Sequence, residues 1–216
     1  MVDLEFPKII LLLGSYDPQT KPILVDLKET LEEASVTRSD QVSAWLLDEI
    51  EIYRFDLNGR SVFVFAEIYE GGVALSVIDG LQMVDSKDFQ GKNKAQVDET
   101  VAEYLEEHYA QRAYTKLSLL EKLEELSQSS SLVFLVRDQE LTRGGEYIEL
   151  GFLLTTRPFR LAPSKVHFFK REGITLSEMA WEILNLYKIN RHSYADKAFL
   201  LREATRITMD SLQFSP

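Results

Sequence analysis

An uninterrupted apolar run near the start of the chain, KIILLLG at Lys8–Gly14, restricts the possible folds more than any other feature of the sequence. A strand with one face in water alternates apolar and polar residues, whereas a strand that is apolar throughout is typical of a parallel sheet covered on both faces. A second run of the same kind, LVFLV, occupies residues 132–136. The two runs predict an α/β fold built around a parallel sheet.

Helical patterns follow these runs. Within residues 23–31, isoleucine and leucine recur every three or four positions, which predicts an amphipathic helix of about three turns. Residues 94–127 also predict helix, either as one element or as two elements joined near 108–115. The remaining predicted elements are a strand at 166–169, helices at 147–154 and 175–187, and a terminal helix at 194–212.

The middle of the chain predicts an antiparallel meander. Its strand-like segments are 51–55, 61–69 and 73–78. Asn58-Gly59 is a strong signal for a tight turn between the first two of them. We expect this insertion, residues 51–79, to form one edge of the sheet or a flap beside it, and we expect a polar loop at 85–94.

Composition narrows the class of protein. Hydrophobic residues at 45% and charged residues at 27% are ordinary globular values, and 216 residues suit a single α/β domain spanning 1–216. The absence of cysteine excludes disulfide scaffolds, thiolate metal sites and cysteine nucleophiles. A net charge of −11 disfavours nucleic acid as a partner. No signal peptide or membrane span is visible, so we expect a cytoplasmic protein without membrane contact.

Glu149 is the candidate functional residue that the sequence favours most. It lies in the predicted helix 147–154, where nearly all of its neighbours are apolar. Burial raises the pKa of a carboxyl group unless a donor or a cation compensates, and a carboxylate in that setting can serve as nucleophile or general acid/base. Because sites in parallel sheets form outside the carboxyl ends of the strands, we expect the loops 14–18 and 137–145 to lie together there. The alternative is a structural glutamate that hydrogen-bonds a neighbouring loop.

Two segments of the chain resemble nucleoside 2-deoxyribosyltransferases and their Toll/interleukin-receptor-like relatives. The first resembling motif is the strand LVFLVRD, which ends at Asp138, followed by GEYIELGF from Gly145 to Phe152. The buried first strand, which ends in Gly14-Ser15-Tyr16, is similar to the substrate-binding turn of that family. The resemblance covers roughly residues 1–35 and 130–170.

The resemblance implies a flavodoxin-like, doubly wound and mostly parallel sheet, to which the antiparallel meander and the C-terminal helices are added. It implies that Glu149 attacks the anomeric carbon of an N-glycosidic bond, by a route analogous to that of retaining glycoside hydrolases. Asp138 matches an aspartate that contacts the sugar or base, and the alternative for Asp138 is a cap or turn residue. The implied substrate-binding residues are Gly14, Ser15, Tyr16, Asp17, Gly145 and Tyr147. Members of the family commonly complete their sites across subunits, which implies a homo-oligomer.

Some features depart from the family pattern. Glu146 and Tyr147 stand where the family often has small residues, and a second carboxylate beside Glu149 disfavours a substrate phosphate.

Three hypotheses for the function therefore stay open. The first is an enzyme that processes the N-glycosidic bond of a nucleoside or nucleotide. The second is a non-catalytic domain that binds a nucleotide-like ligand or a protein, and the third is an accidental motif in an unrelated α/β domain.

No cofactor or metal is expected. The glycine pairs of the sequence do not form a Gly-x-Gly-x-x-Gly motif, and no Gly-Lys-Ser/Thr follows a predicted strand. His108, His167 and His192 do not have the spacing of a zinc site, so each is interpreted as a surface or structural histidine.

Overall fold

The apolar run that opens the sequence forms the middle strand of a parallel sheet, in a computed structural model that describes residues 8–14, 18, 20–36, 42–80, 82–139 and 163–213. The described strands are β1 (Lys8–Gly14), β2 (Val42–Leu46), β3 (Ile50–Leu57), β4 (Arg60–Tyr69), β5 (Gly72–Asp79), β6 (Gln82–Gln90), β7 (Tyr114–Lys116), β8 (Ser130–Arg137), β9 (Val166–Arg171) and β10 (Asn190–Tyr194). The described helices are α1 (Lys21–Val36), α2 (Val97–Tyr109), α3 (Leu119–Ser129), α4 (Glu178–Leu186) and α5 (Lys197–Gln213).

The chain divides into two compact units. One unit holds residues from Asp48 to Glu125, and the other holds the described residues up to Leu47 and from Leu126 onward. Mixed α/β architecture is confirmed, with one parallel and one antiparallel sheet. The assignment of residues 1–216 to a single domain stays a prediction.

The parallel sheet has the strand order β2-β1-β8-β9-β10. Each neighbouring pair is parallel, and β1 lies between β2 and β8. The inner residues of β1, from Ile9 to Leu13, are at most 2% exposed, as the uniform apolar run predicts. The predicted strands at 8–14, 132–136 and 166–169 are therefore confirmed as β1, β8 and β9.

One face of the parallel sheet is covered by α1 and α5, which also pack against each other. The leucines that predicted α1 point into this core together with apolar residues of α5. The buried helix residues in the cluster are Leu24, Leu27, Leu31, Leu200, Ala204 and Ile207. The helical spacing of these apolar side chains is what lets each helix bury one stripe against the sheet.

The antiparallel unit has the strand order β6-β5-β4-β3-β7. The predicted turn at Asn58-Gly59 joins β3 to β4, and both residues have the positive φ that such turns require, 57° and 81°. The helix α2 packs Val97, Val101 and other apolar residues on one face of this sheet. The meander therefore forms a sheet of its own rather than an edge of the parallel sheet.

Several predicted boundaries differ from the structure. The segment 85–94 was predicted as loop, but β6 at Gln82–Gln90 pairs with β5 along its length. The helical stretch 94–127 is two helices, and β7 lies between them. The terminal helix begins at Lys197 rather than Tyr194, because Asn190–Tyr194 pair with β9 and the Asp196 carboxylate accepts a hydrogen bond from the Phe199 amide at 2.8 Å.

Among the described helices, none is both long and apolar enough to cross a bilayer.

Candidate functional site

The carboxyl edge of the parallel sheet brings two predicted site residues onto neighbouring strands. Gly14 ends β1 and pairs in register with Val136 of β8, and Asp138 follows the end of β8. From β1 the chain leads to β2 on one side of the sheet, whereas β8 lies on the other side. In open α/β sheets, ligands generally bind at the carboxyl ends of the strands where the strand order reverses in this way.

Gly14 permits the close approach of the two strands at this edge. A Cβ atom at this position would lie 2.7 Å from the carbonyl oxygen of Val136 and 3.4 Å from a methyl group of Leu24. The first distance is shorter than a carbon and an oxygen tolerate without displacement of the backbone. A glycine is therefore required by packing at the point where β1 ends.

The Asp138 carboxylate is held by residues from the two strands beyond β8. The hydroxyl of Tyr194, the last residue of β10, donates a hydrogen bond to Asp138 Oδ1 at 2.9 Å. The guanidinium of Arg171, at the end of β9, lies 3.6 Å from Asp138 Oδ2. The side chain of Asp138 is 9% exposed and that of Arg171 is 54% exposed. The cluster of Asp138, Arg171 and Tyr194 is called the edge triad below.

The electrostatics of the edge triad keep Tyr194 protonated. Burial and the adjacent Asp138 carboxylate raise the pKa of the Tyr194 phenol far above its ordinary value. The hydroxyl therefore acts as a permanent donor to Asp138. Oxygen lone pairs of the Asp138 carboxylate that Tyr194 does not use can accept a hydrogen bond from a ligand hydroxyl, and the half-exposed Arg171 can bind an anionic group.

Most of the predicted site residues lie outside the described part of the chain. These residues are Ser15, Tyr16, Asp17, Gly145, Tyr147 and Glu149. Of the predicted set, the structure describes Gly14 and Asp138, and it brings both to the same sheet edge.

Sequence reasoning missed Tyr194 and Arg171 as partners of Asp138. Tyr194 was assigned to the start of the terminal helix, and Arg171 was not among the predicted site residues. The sequence signal for this strand is weak, because in the short segment NRHSY only the final tyrosine is a residue type enriched in strands. Recognition of that strand would have placed its last residue at the carboxyl edge.

A second polar cluster joins two histidines that are far apart in sequence. His167 Nδ1 lies 3.0 Å from His192 Nε2, and the two rings stack at a centroid distance of 5.2 Å. His192 Nδ1 lies 3.8 Å from Glu203, which in turn pairs with Arg206 at 2.6 Å. Burial and the neighbouring His192 lower the pKa of His167 to about 4, so His167 is neutral at pH 7.

The histidine cluster packs against aromatic residues of the parallel sheet. Phe134 contacts the His167 ring edge to face, and Phe169 stacks on His192. Within the described ranges, no group of three or more histidine, aspartate or glutamate side chains is arranged to hold a metal ion.

No protein-family model and no curated protein matches this chain.

Proposed function

We propose that this protein binds a nucleoside or nucleotide at the carboxyl edge of its parallel sheet and cleaves or transfers the N-glycosidic bond through Glu149. The observation that carries the proposal is the position of Gly14 and Asp138 at the ends of two neighbouring strands. Glu149 is included in the proposed site because its surrounding motif resembles that of the family. Asp138 is included because of the same resemblance and because of the geometry of the edge triad.

The strand order supports a doubly wound, flavodoxin-like sheet. When the parallel strands alone are numbered along the chain, the order β2-β1-β8-β9-β10 becomes 2-1-3-4-5. Flavodoxin-like sheets share this order and bind their ligand where the first and third strands adjoin. In this chain that position corresponds to the ends of β1 and β8.

Each residue has a defined part in the proposed reaction. The Glu149 carboxylate attacks the anomeric carbon, the bond to the base breaks, and the base leaves with the bonding electron pair and takes up a proton from water. Water or a second base then displaces Glu149 and restores its carboxylate. Asp138 accepts a hydrogen bond from a sugar hydroxyl and is a positioning residue, since Tyr194 and Arg171 already restrain it.

One observation favours a binding function without turnover. The Asp138 carboxylate is engaged on both oxygens, by the Tyr194 hydroxyl and by the Arg171 guanidinium. A carboxylate restrained in this way is suited to orient a ligand. A domain that recognises a nucleotide-like ligand would use the same edge triad.

Release of free base distinguishes the two functions. The full chain is incubated with a panel of purine and pyrimidine nucleosides, their monophosphates and nicotinamide dinucleotide, and the base is quantified by chromatography. The enzyme proposal expects release by the wild type and a loss of at least a hundredfold for Glu149→Gln. A matched control is Glu182→Gln, because Glu182 is an exposed residue of α4.

Equilibrium binding to the same panel completes the test. Binding without base release supports the non-catalytic function, and we then expect Asp138→Asn to weaken it. The absence of both binding and release, or release that Glu149→Gln leaves unchanged, contradicts the proposal. The homo-oligomer that the resemblance implies is measured in parallel by light scattering.

A further inference from the structure

A cavity of about 410 Å³ lies at the amino edge of the parallel sheet, the edge opposite to Gly14 and Asp138. Its walls come from the first residues of β1, β2 and β8, from the turn before β9 and from the last turns of α5. The volume falls within the range of small-molecule sites in proteins. The nucleoside proposal concerns the other edge, so this cavity is a separate feature of the molecule.

The cavity combines an apolar wall with two cationic side chains. The wall includes Ile10, Val42 and Leu132, each of which is at most 8% exposed. Lys8 and Lys165 also line the cavity. Neither ammonium makes an ion pair or a hydrogen bond in the described part of the chain, although the protein carries a net charge of −11. The acidic residue on the described wall, Asp210, is paired with Arg206 at 2.8 Å.

Thr208 supplies a buried donor on the same wall. The residue is 0% exposed, and its hydroxyl has no hydrogen-bond partner among the described residues. A threonine inside a helix ordinarily bonds to the carbonyl one turn earlier, as Thr205 of the same helix does to Leu201 at 2.8 Å. A buried hydroxyl without a partner costs free energy, which a ligand oxygen at this position would recover.

We propose that this cavity binds a small organic anion that carries an apolar body and a phosphate or carboxylate group. The anionic group lies between the ammonium groups of Lys8 and Lys165, and one of its oxygens accepts a hydrogen bond from the Thr208 hydroxyl. The apolar body covers the wall of Ile10, Val42 and Leu132. Phosphate and carboxylate satisfy the same cations, so the identity of the anionic group is decided by the test.

Isothermal titration of the full chain with four probes tests the proposal. The probes are octyl phosphate, octanoate, octanol and inorganic phosphate, all below their aggregation concentrations. We expect octyl phosphate or octanoate to bind at least tenfold more tightly than octanol and inorganic phosphate, because the first two probes occupy both the apolar wall and the cationic group. The probe of these two that binds more tightly identifies the preferred anionic group as phosphate or carboxylate. Failure of both to bind at millimolar concentration, or equal binding of octanol, overturns the proposal.

Substitutions locate the binding of the tighter probe. Lys8→Gln and Lys165→Gln are each expected to weaken it about tenfold, and Thr208→Val about threefold. Lys87→Gln and Thr205→Val are matched controls with no expected effect, because neither residue lines the cavity. Lys165 is exposed in the turn before β9, so its variant is expected to fold even if Lys8→Gln does not.

Equal affinity of the wild type and Lys165→Gln overturns the assignment of this cavity. Glu149→Gln separates this proposal from the nucleoside proposal, since it is expected to leave the affinity for the probe unchanged. If base release is absent but the probe binds, the nucleoside proposal for the carboxyl edge fails alone. If base is released but the probe does not bind, the proposal for the amino-edge cavity fails alone.

Discussion

The Tyr194 hydroxyl donates a hydrogen bond to Asp138 Oδ1 at 2.9 Å, and this contact links the end of β10 to the residue that follows β8. The strand β9 lies between these two strands. The bond therefore ties together the carboxyl ends of strands that are not direct neighbours. It also restrains the one described carboxylate that the proposed nucleoside site uses.

Tyr194→Phe is expected to lower the free energy of unfolding by about 1–3 kcal/mol, because a buried bond from a hydroxyl to a carboxylate is lost. Urea denaturation followed by circular dichroism measures the change. Tyr187→Phe serves as the control, since no side-chain hydrogen bond of Tyr187 is found among the described residues. Equal stability of Tyr194→Phe and the wild type would show that the bond contributes nothing.

Gly14→Ala is expected to destabilise the parallel unit by about 1–3 kcal/mol, because the added methyl group meets the Val136 carbonyl oxygen at 2.7 Å and forces β1 and β8 apart. The same displacement should weaken ligand binding at the carboxyl edge. Urea denaturation and titration with the ligand identified by the panel measure the two effects. A variant with wild-type stability would contradict the close approach of these strands.

The buried histidine predicts a specific pH dependence of stability. The pKa of His167 is about 4 in the folded protein against 6.5 for an unperturbed histidine. Between these values the unfolded chain binds a proton that the folded chain does not, so the free energy of unfolding falls as the pH drops through this range. The loss is complete below about pH 4 and amounts to about 3 kcal/mol. The pKa of His192 is also lowered, which adds to the loss in the same direction.

Urea denaturation at pH 7.5, 6 and 5 measures this dependence. In His167→Gln, the free energy of unfolding is expected to decrease less between pH 7.5 and pH 5 than in the wild type. This holds whatever the effect of the substitution on stability at pH 7.5. His108→Gln is the control, because His108 is a partly exposed residue of α2. A His167→Gln variant with the same pH dependence as the wild type would exclude His167 as the titrating group.

Thr208→Val is expected to raise the free energy of unfolding of the ligand-free protein by about 1 kcal/mol, because it replaces a buried hydroxyl that has no hydrogen-bond partner among the described residues. Thr205→Val should show no such gain, since the Thr205 hydroxyl already donates to Leu201. Thermal denaturation of both variants measures the difference. A lower stability of Thr208→Val would indicate that the hydroxyl is satisfied in the free protein.

The elements predicted correctly are those whose burial is uniform or strictly periodic. The strand β1 is apolar at nearly every position because both of its faces are covered, and α1 carries leucines at helical spacing because one stripe faces the sheet. The turn at Asn58-Gly59 was predicted from the backbone conformation that these residue types allow. In each case the local pattern of residue types reflects the burial or the backbone conformation of those residues in the folded protein.

The elements that were missed take their conformation from a neighbouring strand. The strand β6, QMVDSKDFQ, is mostly exposed and carries three charges, so its sequence is typical of a loop. It is a strand because the backbone of β5 offers a free edge to pair with. The short strands β2 and β10 likewise carry too few residues for a period to be recognised.

The sequence by itself determined that this chain builds a parallel α/β core with an antiparallel insertion, and it singled out Gly14, Asp138 and Glu149 as residues for a site. Burial patterns repeat along a segment, so they can be read from the order of residues. Only the tertiary structure decided that Asp138 meets Tyr194 and Arg171, that His167 stacks on His192, and that Lys8 and Lys165 share a cavity. These pairs join residues far apart in the chain, and their distances are fixed by the pairing of whole strands, which no local pattern records.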